Sequence, residues 1–193
     1  MYPFPYEFPM DTLRTPRLII RRLSLSDAAD VYAYSRDEEV ARHVLWMPHK
    51  SVGESRSYIR SIQHKYRAGE PTSWGIEYRE NRRIIGTIGY MWHQSDNSAA
   101  EIGYSLARAY WNQGIMTEAL RAVIAYSFDR LRINRLEAQH EVNNPASGMV
   151  MSKAGMSREG LLRERLYNKG RYVDVVLYSI LRSEYASRTR YAD

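Results

Sequence analysis

A strand-like pattern passes directly into a helix-like pattern at residues 102–120, IGYSLARAYWNQGIMTEAL. The stretch begins with residues typical of a strand, whereas the segment from Thr117 places Leu120, Val123 and Ile124 on one helical stripe. Between the two patterns lies Gly114, which lets a backbone take a positive φ or approach a ligand closely. The chain must therefore turn from a sheet onto a helix at this glycine.

The rest of the chain supplies the elements around this junction. A strand pattern at 17–23 precedes two helix patterns, and the second starts with a capping box of Ser51 and Glu54. Two strand patterns flanking the turn at 80–82 predict a hairpin, and a strand at 99–107 follows. After the helix from Thr117 come a strand at 135–142, a short helix at 144–154 closed by Gly155, and a final hairpin.

This order of elements is typical of a mixed sheet covered by helices, an α/β or α+β sandwich in one domain. A length of 193 residues suits one domain with at most an appendage. We predict an extended N-terminal arm at 1–14, a domain at 15–183 and a C-terminal tail at 184–193. The proline-rich arm is either a frayed terminus or a segment that packs on its own domain or on a second subunit.

Composition excludes several chemistries. The chain has no cysteine, so disulfides, cysteine-ligated metals and thiol nucleophiles are ruled out, which fits a cytoplasmic protein. No apolar run approaches the length of a membrane span, and the first residues do not form a signal peptide. A net charge of +6 attracts anions in general, but no nucleic-acid-binding motif accompanies it.

The common catalytic and cofactor motifs are also missing. The sequence contains no phosphate loop, no G-x-G-x-x-G and no G-x-S-x-G, which argues against ATP-binding, dinucleotide-binding and α/β-hydrolase classes. None of the five histidines pairs with another ligand type at metal spacing, so no metal site is expected. A glycine turn before a helix, in contrast, leaves free backbone N–H groups that attract phosphate. An ordinary connection capped by Asn112 or Thr117 is the alternative.

Five segments in order resemble the RimJ/RimL branch of the Gcn5-related N-acetyltransferases (GNAT). They are TPRLIIRRLSLSDA, IIGTIGY, EIGYSLARAYWNQGIMTEAL, NNPASGMVMSKAGM and GRYVDVVLYSIL, and they cover nearly all of residues 15–181. The family's cofactor motif, Q/R-x-x-G-x-G/A, corresponds here to residues 111–116. Gly114 matches its central glycine, whereas Trp111 and Met116 depart from its first and last positions.

The resemblance implies a fold and a cofactor. The fold would be a mostly antiparallel, twisted sheet of about seven strands flanked by helices. Acetyl-coenzyme A would be the acetyl donor, with its pyrophosphate on backbone N–H groups of residues 112–117 and no metal required. The cofactor-binding residues implied are Tyr104, Ser105, Leu106, Asn112, Gln113, Gly114, Ile115, Met116, Thr117 and Asn144. Asn144 could equally be a helix N-cap.

The resemblance also implies a chemistry. Glu101 would be the base that takes the amine proton, although it could instead be a solvent-facing residue at a strand end. Met151 stands where many relatives carry a proton-donating tyrosine, so Ser147 is expected to assist the leaving thiolate, with Tyr104 as a further candidate. Because there is no cysteine, we expect direct attack of the amine in a ternary complex.

The acceptor is expected to be a primary amine, either a protein N-terminus of ribosomal-protein type or a small amine. Trp46, Tyr167 and Tyr172 are predicted to shape its entrance, although Trp46 could simply belong to the core. The competing function is a non-catalytic acyl-coenzyme A sensor on the same fold. A monomer or a homodimer is expected, with no membrane partner and with nucleic acid involved only indirectly, through a ribosome.

Overall fold

The computed structural model describes residues 8–190 of the chain, with side chains as far as residue 187. Eight strands form one sheet in the order β1-β2-β3-β4-β5-β6-β8-β7. The strands are β1 (Leu13–Arg14), β2 (Leu18–Arg21), β3 (Ser73–Tyr78), β4 (Arg83–Gln94), β5 (Ala99–Leu106), β6 (Arg135–Glu141), β7 (Ser157–Asn168) and β8 (Arg171–Leu181). The helices are α1 (Ala28–Ser35), α2 (Glu38–Ala41), α3 (Val52–Ala68), α4 (Ile115–Asp129), α5 (Pro145–Lys153) and α6 (Arg182–Arg190).

One pair of strands differs from all the others. Neighbouring strands run antiparallel except β5 and β6, which are parallel because α4 carries the chain back across the sheet between them. Their register joins Ala99–Glu101 to Arg135–Glu137 and goes no further in the described chain. Beyond Glu101 the two central strands therefore diverge, and a gap opens in the middle of the sheet.

The helices lie on both faces of the sheet. Thr87 of β4 lies beside Tyr34 of α1, whereas the Tyr90 hydroxyl lies 2.6 Å from the Ser127 hydroxyl of α4. Residues three apart on a strand point to opposite faces, so α1 and α4 lie on opposite sides. Helix α3 packs on α1, and α5 packs beside α4. We call these the α1 face and the α4 face.

Helix α3 follows from its sequence signals. The Ser51 side chain accepts a hydrogen bond from the Glu54 N–H at 3.2 Å, which satisfies one free donor of the first turn. The Glu54 carboxylate accepts from the backbone N–H of Lys50 rather than that of Ser51, so only half of the predicted capping box forms. The helix ends at Gly69 with a φ of 67°, and its Ile59 and Ile62 are buried in the core.

The predicted mixed sheet flanked by helices is confirmed, with three elements that were not predicted: β1, α2 and α6. Strand β1 has only two residues and helix α2 only four, so neither contains enough residues to show a periodic pattern. Strand β7 begins at Ser157, three residues before Gly160, where the strand pattern of the final hairpin begins. Strand β1 and helix α6 extend the packed unit beyond residues 15 and 183.

The described ends of the chain pack on the domain. Phe8 and Met10 are buried, and the Phe8 ring lies 4.9 Å from that of Tyr90. Tyr185 of α6 stacks on Phe128 of α4 at 5.0 Å. From residue 8 onward the arm therefore packs on its own domain, while residues 1–7 and 191–193 of the predicted arm and tail lie outside the described residues.

Candidate active site

The junction between β5 and α4 forms a concave array of backbone N–H groups. Gly114 is the N-cap of α4 with φ 73° and ψ 4°, and Asn112 also has a positive φ of 59°. Since Gly114 has no side chain to cap the helix, the N–H groups of its first turn are unpaired, as at any uncapped helix start. In the described chain no backbone N–H from 112 to 117 donates to another protein group. Such an array, with the positive end of a helix dipole, is suited to a phosphate.

Side chains around the junction hold its backbone in place. The Trp111 indole N–H donates to the Leu106 carbonyl at 2.7 Å, which ties the loop to the end of β5. The Gln113 carbonyl accepts from the Arg17 guanidinium at 2.9 Å. Ile115 and Met116 are buried, so only their backbone can face a ligand. This explains in physical terms why side chains that depart from the family motif are compatible with the site.

Glu118 anchors the first turn of α4 to the segment before β2. Its carboxylate accepts from the Thr15 hydroxyl and the Arg17 Nε, both at 2.6 Å. Burial alone would raise the pKa of Glu118, but these hydrogen bonds and the Arg17 charge outweigh burial and lower it. The carboxylate therefore stays charged and the loop stays fixed at neutral pH.

A basic surface cleft of about 740 Å³ adjoins Gly114. Its basic side chains are Arg14, Arg17, Arg121 and Lys153. The Arg121 guanidinium also donates to the Lys153 carbonyl at 2.6 Å, which joins α4 to α5. Among the described residues that line the cleft, Glu118 alone carries a carboxylate, and it is already paired with Arg17. The cleft therefore has a net positive charge and leads away from the N–H array.

Two hydroxyls meet across the gap between β5 and β6. The Ser147 hydroxyl of α5 donates to the Tyr104 hydroxyl at 2.9 Å, and the Tyr104 hydroxyl donates to the Ser147 carbonyl at 3.0 Å. Burial raises the pKa of Tyr104, while the hydrogen bond from Ser147 lowers it in part. Tyr104 thus remains protonated at neutral pH, and the pair is a source of O–H donors on the α4 face.

Glu101 lies where the two strands separate, and neutral donors hold both of its oxygens. The Trp92 indole N–H donates to Oε2 at 2.8 Å, and the Gln139 amide donates to Oε1 at 3.0 Å. Glu101 is only partly exposed, so it is not a freely solvated strand end. Because side chains alternate along β5, Glu101 points to the α1 face and Tyr104 to the α4 face. The carboxylate and the hydroxyl pair thus lie on opposite sides of the sheet.

The predicted entrance residues lie in two neighbouring segments, Trp46 in the loop after α2 and Tyr167 and Tyr172 at the ends of β7 and β8 that flank the hairpin turn. Trp46 is partly buried beside His49, with ring centroids 5.7 Å apart. Tyr167 and Tyr172 are exposed and pair across the β7–β8 hairpin at 5.1 Å. The hairpin turn is tied to the loop before Trp46, since the Lys169 ammonium donates to the Val44 carbonyl at 2.7 Å.

Glu141 strengthens the same link between the two loops. His43 lies 3.0 Å from the Glu141 carboxylate, and Asn168 donates to that carboxylate at 2.5 Å. Burial would raise the pKa of Glu141, but these partners outweigh burial and lower it. The Glu141 carboxylate therefore joins the loop after α2, through His43, to the β7–β8 hairpin, through Asn168, on the α1 face.

Two other predicted cofactor residues, Ser105 and Asn144, differ in whether their side chains have a partner. Ser105 is buried, and its hydroxyl lies 3.1 Å from that of Thr87 on the α1 face. Asn144 takes the N-cap position of α5, but its side chain makes no capping hydrogen bond. The capping role considered for Asn144 is therefore not seen, and its amide is available to a ligand.

Four residues that build this candidate site were not predicted from the sequence as site residues: Trp92, Gln139, Arg17 and Glu118. Gln139 carried a weak signal, because it is a polar residue in the interior of an alternating strand. Trp92 carried none, since it faces Glu101 only through a bulge in β4 at Met91. Arg17 and Glu118 are 101 residues apart in the chain, and only the fold brings them together.

Residues 8–190 contain no cluster of three or more metal-ligating side chains. No helix in this part of the chain has the length and apolar character needed to cross a membrane.

Comparison with known sequences identifies related proteins. Residues 17–157 match the family model "Acetyltransferase (GNAT) domain". The chain is 36% identical to the uncharacterized N-acetyltransferase p20 of Bacillus licheniformis, over 92% of this chain and 99% of the relative. It is 28% identical to the [ribosomal protein uS5]-alanine N-acetyltransferase of Escherichia coli, over 93% and 95% of the two chains.

Solved structures share the fold. A complex of RimL, a ribosomal L7/L12 alpha-N-protein acetyltransferase, with coenzyme A superposes with a TM-score of 0.79 at 23% identity. The match covers 89% of this chain and 98% of that one. With the sequence matches, this agreement in fold confirms the family that the five segments indicated. The chain belongs to the GNAT family of acetyl-coenzyme A-dependent N-acetyltransferases.

Proposed function

We propose that this protein transfers the acetyl group of acetyl-coenzyme A to a primary amine by direct attack in a ternary complex. The observation that carries the proposal is the gap between β5 and β6, which leads to the unpaired N–H groups at Gly114. A long, narrow cofactor with a central pyrophosphate fits this arrangement. Its pantetheine arm would lie in the gap, and its pyrophosphate would accept from the N–H groups of 112–117.

The basic cleft suits the far end of the same cofactor. Arg121 and Lys153 lie on the two helices that flank it, and Arg17 lies at its edge next to Gly114. The adenosine end of coenzyme A carries a further phosphate, which requires positive charge around it. The chain thus offers neutral backbone donors for the pyrophosphate and cationic side chains beyond them.

The acceptor amine would approach from the α1 face, where Glu101 lies. An ammonium has no lone pair, so a proton must leave the nitrogen before it attacks the thioester carbonyl. Glu101 is the base for this proton, directly or through one water. The neutral nitrogen then forms the amide bond as the carbon–sulfur bond breaks and the electron pair leaves on the sulfur. The second proton that the nitrogen loses in this step passes to water, and the thiolate is protonated on the α4 face. The chain has no cysteine to form a thioester intermediate of its own.

The Ser147–Tyr104 pair would serve the leaving group from the α4 face. An ordinary thiol has a pKa of about 8.5, so the thiolate of coenzyme A is a fair leaving group. It still benefits from a hydrogen-bond donor. Hydroxyl hydrogens rotate freely, so either hydroxyl of the pair can turn toward the sulfur. We assign Ser147 as the donor. The Tyr104 hydroxyl orients the Ser147 hydroxyl by accepting its hydrogen bond and can return a proton to Ser147 after the transfer.

The acceptor class is a protein N-terminus or a small amine. The Escherichia coli relative acts on ribosomal protein uS5, as its name states, which supports a protein N-terminus. The exposed Tyr167 and Tyr172 and the partly buried Trp46 would form the walls that select it. Alanyl and seryl tetrapeptides, spermidine and kanamycin represent the main acceptor classes.

The test is coenzyme A release from acetyl-coenzyme A with each of these amines, combined with mass detection of the acetylated product. Release that requires an amine and gives a product heavier by one acetyl group supports the proposal. A protein that is strongly stabilised by acetyl-coenzyme A but acetylates none of them would be the non-catalytic sensor instead.

A further inference from the structure

We propose that the side-chain carbonyl of Gln139 and the carboxylate of Glu101 together bind the acceptor's ammonium group, with Trp92 as a positioning residue. The inference rests on the proposed function only in taking that bound amine to be the acetyl acceptor. It adds a second ligand to the acceptor nitrogen and specifies the class of group that the site takes, a primary ammonium.

Glu101 differs in charge from its acidic neighbours. Other acidic side chains on the α1 face of β6 have a cation beside them, since Glu137 pairs with Arg135 at 2.5 Å and Glu141 lies 3.7 Å from the Arg171 guanidinium. Glu101 has only the neutral donors of Trp92 and Gln139, and no cation pairs with it among the described residues. A partly buried carboxylate without a counter-ion strongly favours a cationic ligand.

Glu101 also fixes the orientation of the Gln139 amide. A carboxylate only accepts hydrogen bonds, so the amide must turn its NH₂ group toward Glu101. Its carbonyl oxygen then points away from Glu101, and this oxygen has no hydrogen-bond partner in the described part of the chain. The negative charge of Glu101 therefore fixes a second acceptor atom beside itself. Two adjacent acceptors suit an ammonium, which has several N–H groups to donate.

A β-bulge in β4 brings Trp92 to the Glu101 carboxylate. The ladder between β4 and β5 shifts register between Tyr90 and Trp92, leaving Met91 as the extra residue. The shift places Trp92 opposite Glu101, where its indole N–H reaches Oε2. Without the bulge, alternation would turn Trp92 to the other face of the sheet. The bulge thus orients the carboxylate at the point where the gap begins.

The inference can be tested without measuring activity. The chain has four tryptophans, so a ¹⁵N spectrum of the indole N–H groups has four signals, and Trp92→Phe assigns the one that reports on Glu101. Ethylammonium chloride is titrated into protein saturated with coenzyme A, which has no acetyl group to transfer. Tetramethylammonium chloride at the same ionic strength is the control, because it carries the charge but no N–H.

The expected result is a saturable shift of the Trp92 signal with ethylammonium and none with tetramethylammonium. In Gln139→Leu the shift should require about tenfold more ethylammonium, the usual effect of losing one hydrogen bond to a charged group. Gln94→Leu, at the exposed end of β4, is the matched control and should titrate like the unmodified protein. With the fastest amine of the panel, Gln139→Leu should raise the amine KM and leave the acetyl-coenzyme A KM unchanged.

Failure of this inference is distinguishable from failure of the proposed function. Equal shifts with the two cations, no saturable shift, or a Gln139→Leu variant that titrates normally would overturn the ammonium site even in an active enzyme. A Trp92 signal that responds as expected in a protein that acetylates no amine would preserve the site and remove the acetyl-transfer proposal.

Discussion

At the scale of single residues, the hydroxyl pair of Ser147 and Tyr104 is the sharpest feature of the proposed chemistry. Sequence reasoning found the two residues separately, because each lies in a recognisable segment. Their hydrogen bonds join positions 43 residues apart, and nothing in either segment indicates that they meet. Met151 is buried at 1% exposure, and its thioether has no proton to donate at the gap.

Ser147→Ala should lower kcat about a hundredfold, the low end of what a positioned proton donor contributes, since a thiolate leaves fairly well. The melting temperature and the acetyl-coenzyme A affinity should change little, and steady-state kinetics with thermal melts measure all three. Ser152→Ala, exposed on the same helix, is the control and should retain full activity. A loss confined to cofactor affinity would mean that Ser147 positions coenzyme A and handles no proton.

At the scale of secondary-structure elements, the start of α4 carries the cofactor proposal. The sequence located this junction because a glycine between two different periodicities is a strong local signal. It could not supply the side chains that fix the loop, since Arg17 reaches the Gln113 carbonyl from another part of the chain. Local pattern thus predicts where the junction between strand and helix lies better than it predicts what makes the junction rigid.

Gly114→Asp should abolish the rise in melting temperature that acetyl-coenzyme A gives the unmodified protein. The new carboxylate would lie at the N–H array and repel phosphate. A side chain at a φ of 73° is also strained, at a cost of roughly 1–2 kcal/mol. The measurement is thermal unfolding with and without acetyl-coenzyme A.

Gly170→Asp separates these two effects. Gly170 has a φ of 89° with open space around it, in the β7–β8 turn. The Gly170→Asp variant should lose about as much stability as the Gly114→Asp variant and still be stabilised by acetyl-coenzyme A. Equal responses of the two variants to acetyl-coenzyme A would show that the phosphates bind elsewhere.

At the scale of the whole molecule, the layered fold follows from sequence patterns more directly than the site does. Helix and strand periodicities establish the order of elements and hence a sheet covered on two faces. The separation of β5 from β6 and the bulge at Met91 are properties of strand pairing, which is set by contacts between distant segments. Gln139 and Trp92 meet Glu101 only after the sheet has formed, so their joint role could not be predicted from local pattern.

The acid stability of the fold should depend on Glu159, which joins β7 to β6 and β8. Hydrogen bonds from Arg135 and Ser179 lower the pKa of Glu159 to about 2, against an ordinary value of 4.5. A carboxyl whose pKa falls on folding stabilises the native state above its unfolded pKa. That contribution is lost as pH falls from about 4.5 to about 2.

Glu159→Gln should therefore be less stable than the unmodified protein at pH 7, and the difference should disappear near pH 2. Urea unfolding at a series of pH values measures it. Glu70→Gln is the control, because the exposed Glu70 side chain makes no ion pair with a described residue. A difference that persists unchanged at pH 2 would show that Glu159 acts through packing and not through its charge.

The central claim, direct transfer from cofactor to amine, is tested by a single-turnover experiment. Protein in excess is mixed with acetyl-coenzyme A labelled in its acetyl group, and samples are denatured at intervals before and after an accepted amine is added. Direct attack predicts that label appears on the amine alone and that denatured protein carries none at any time. Label that accumulates on the protein and then passes to the amine would contradict the account.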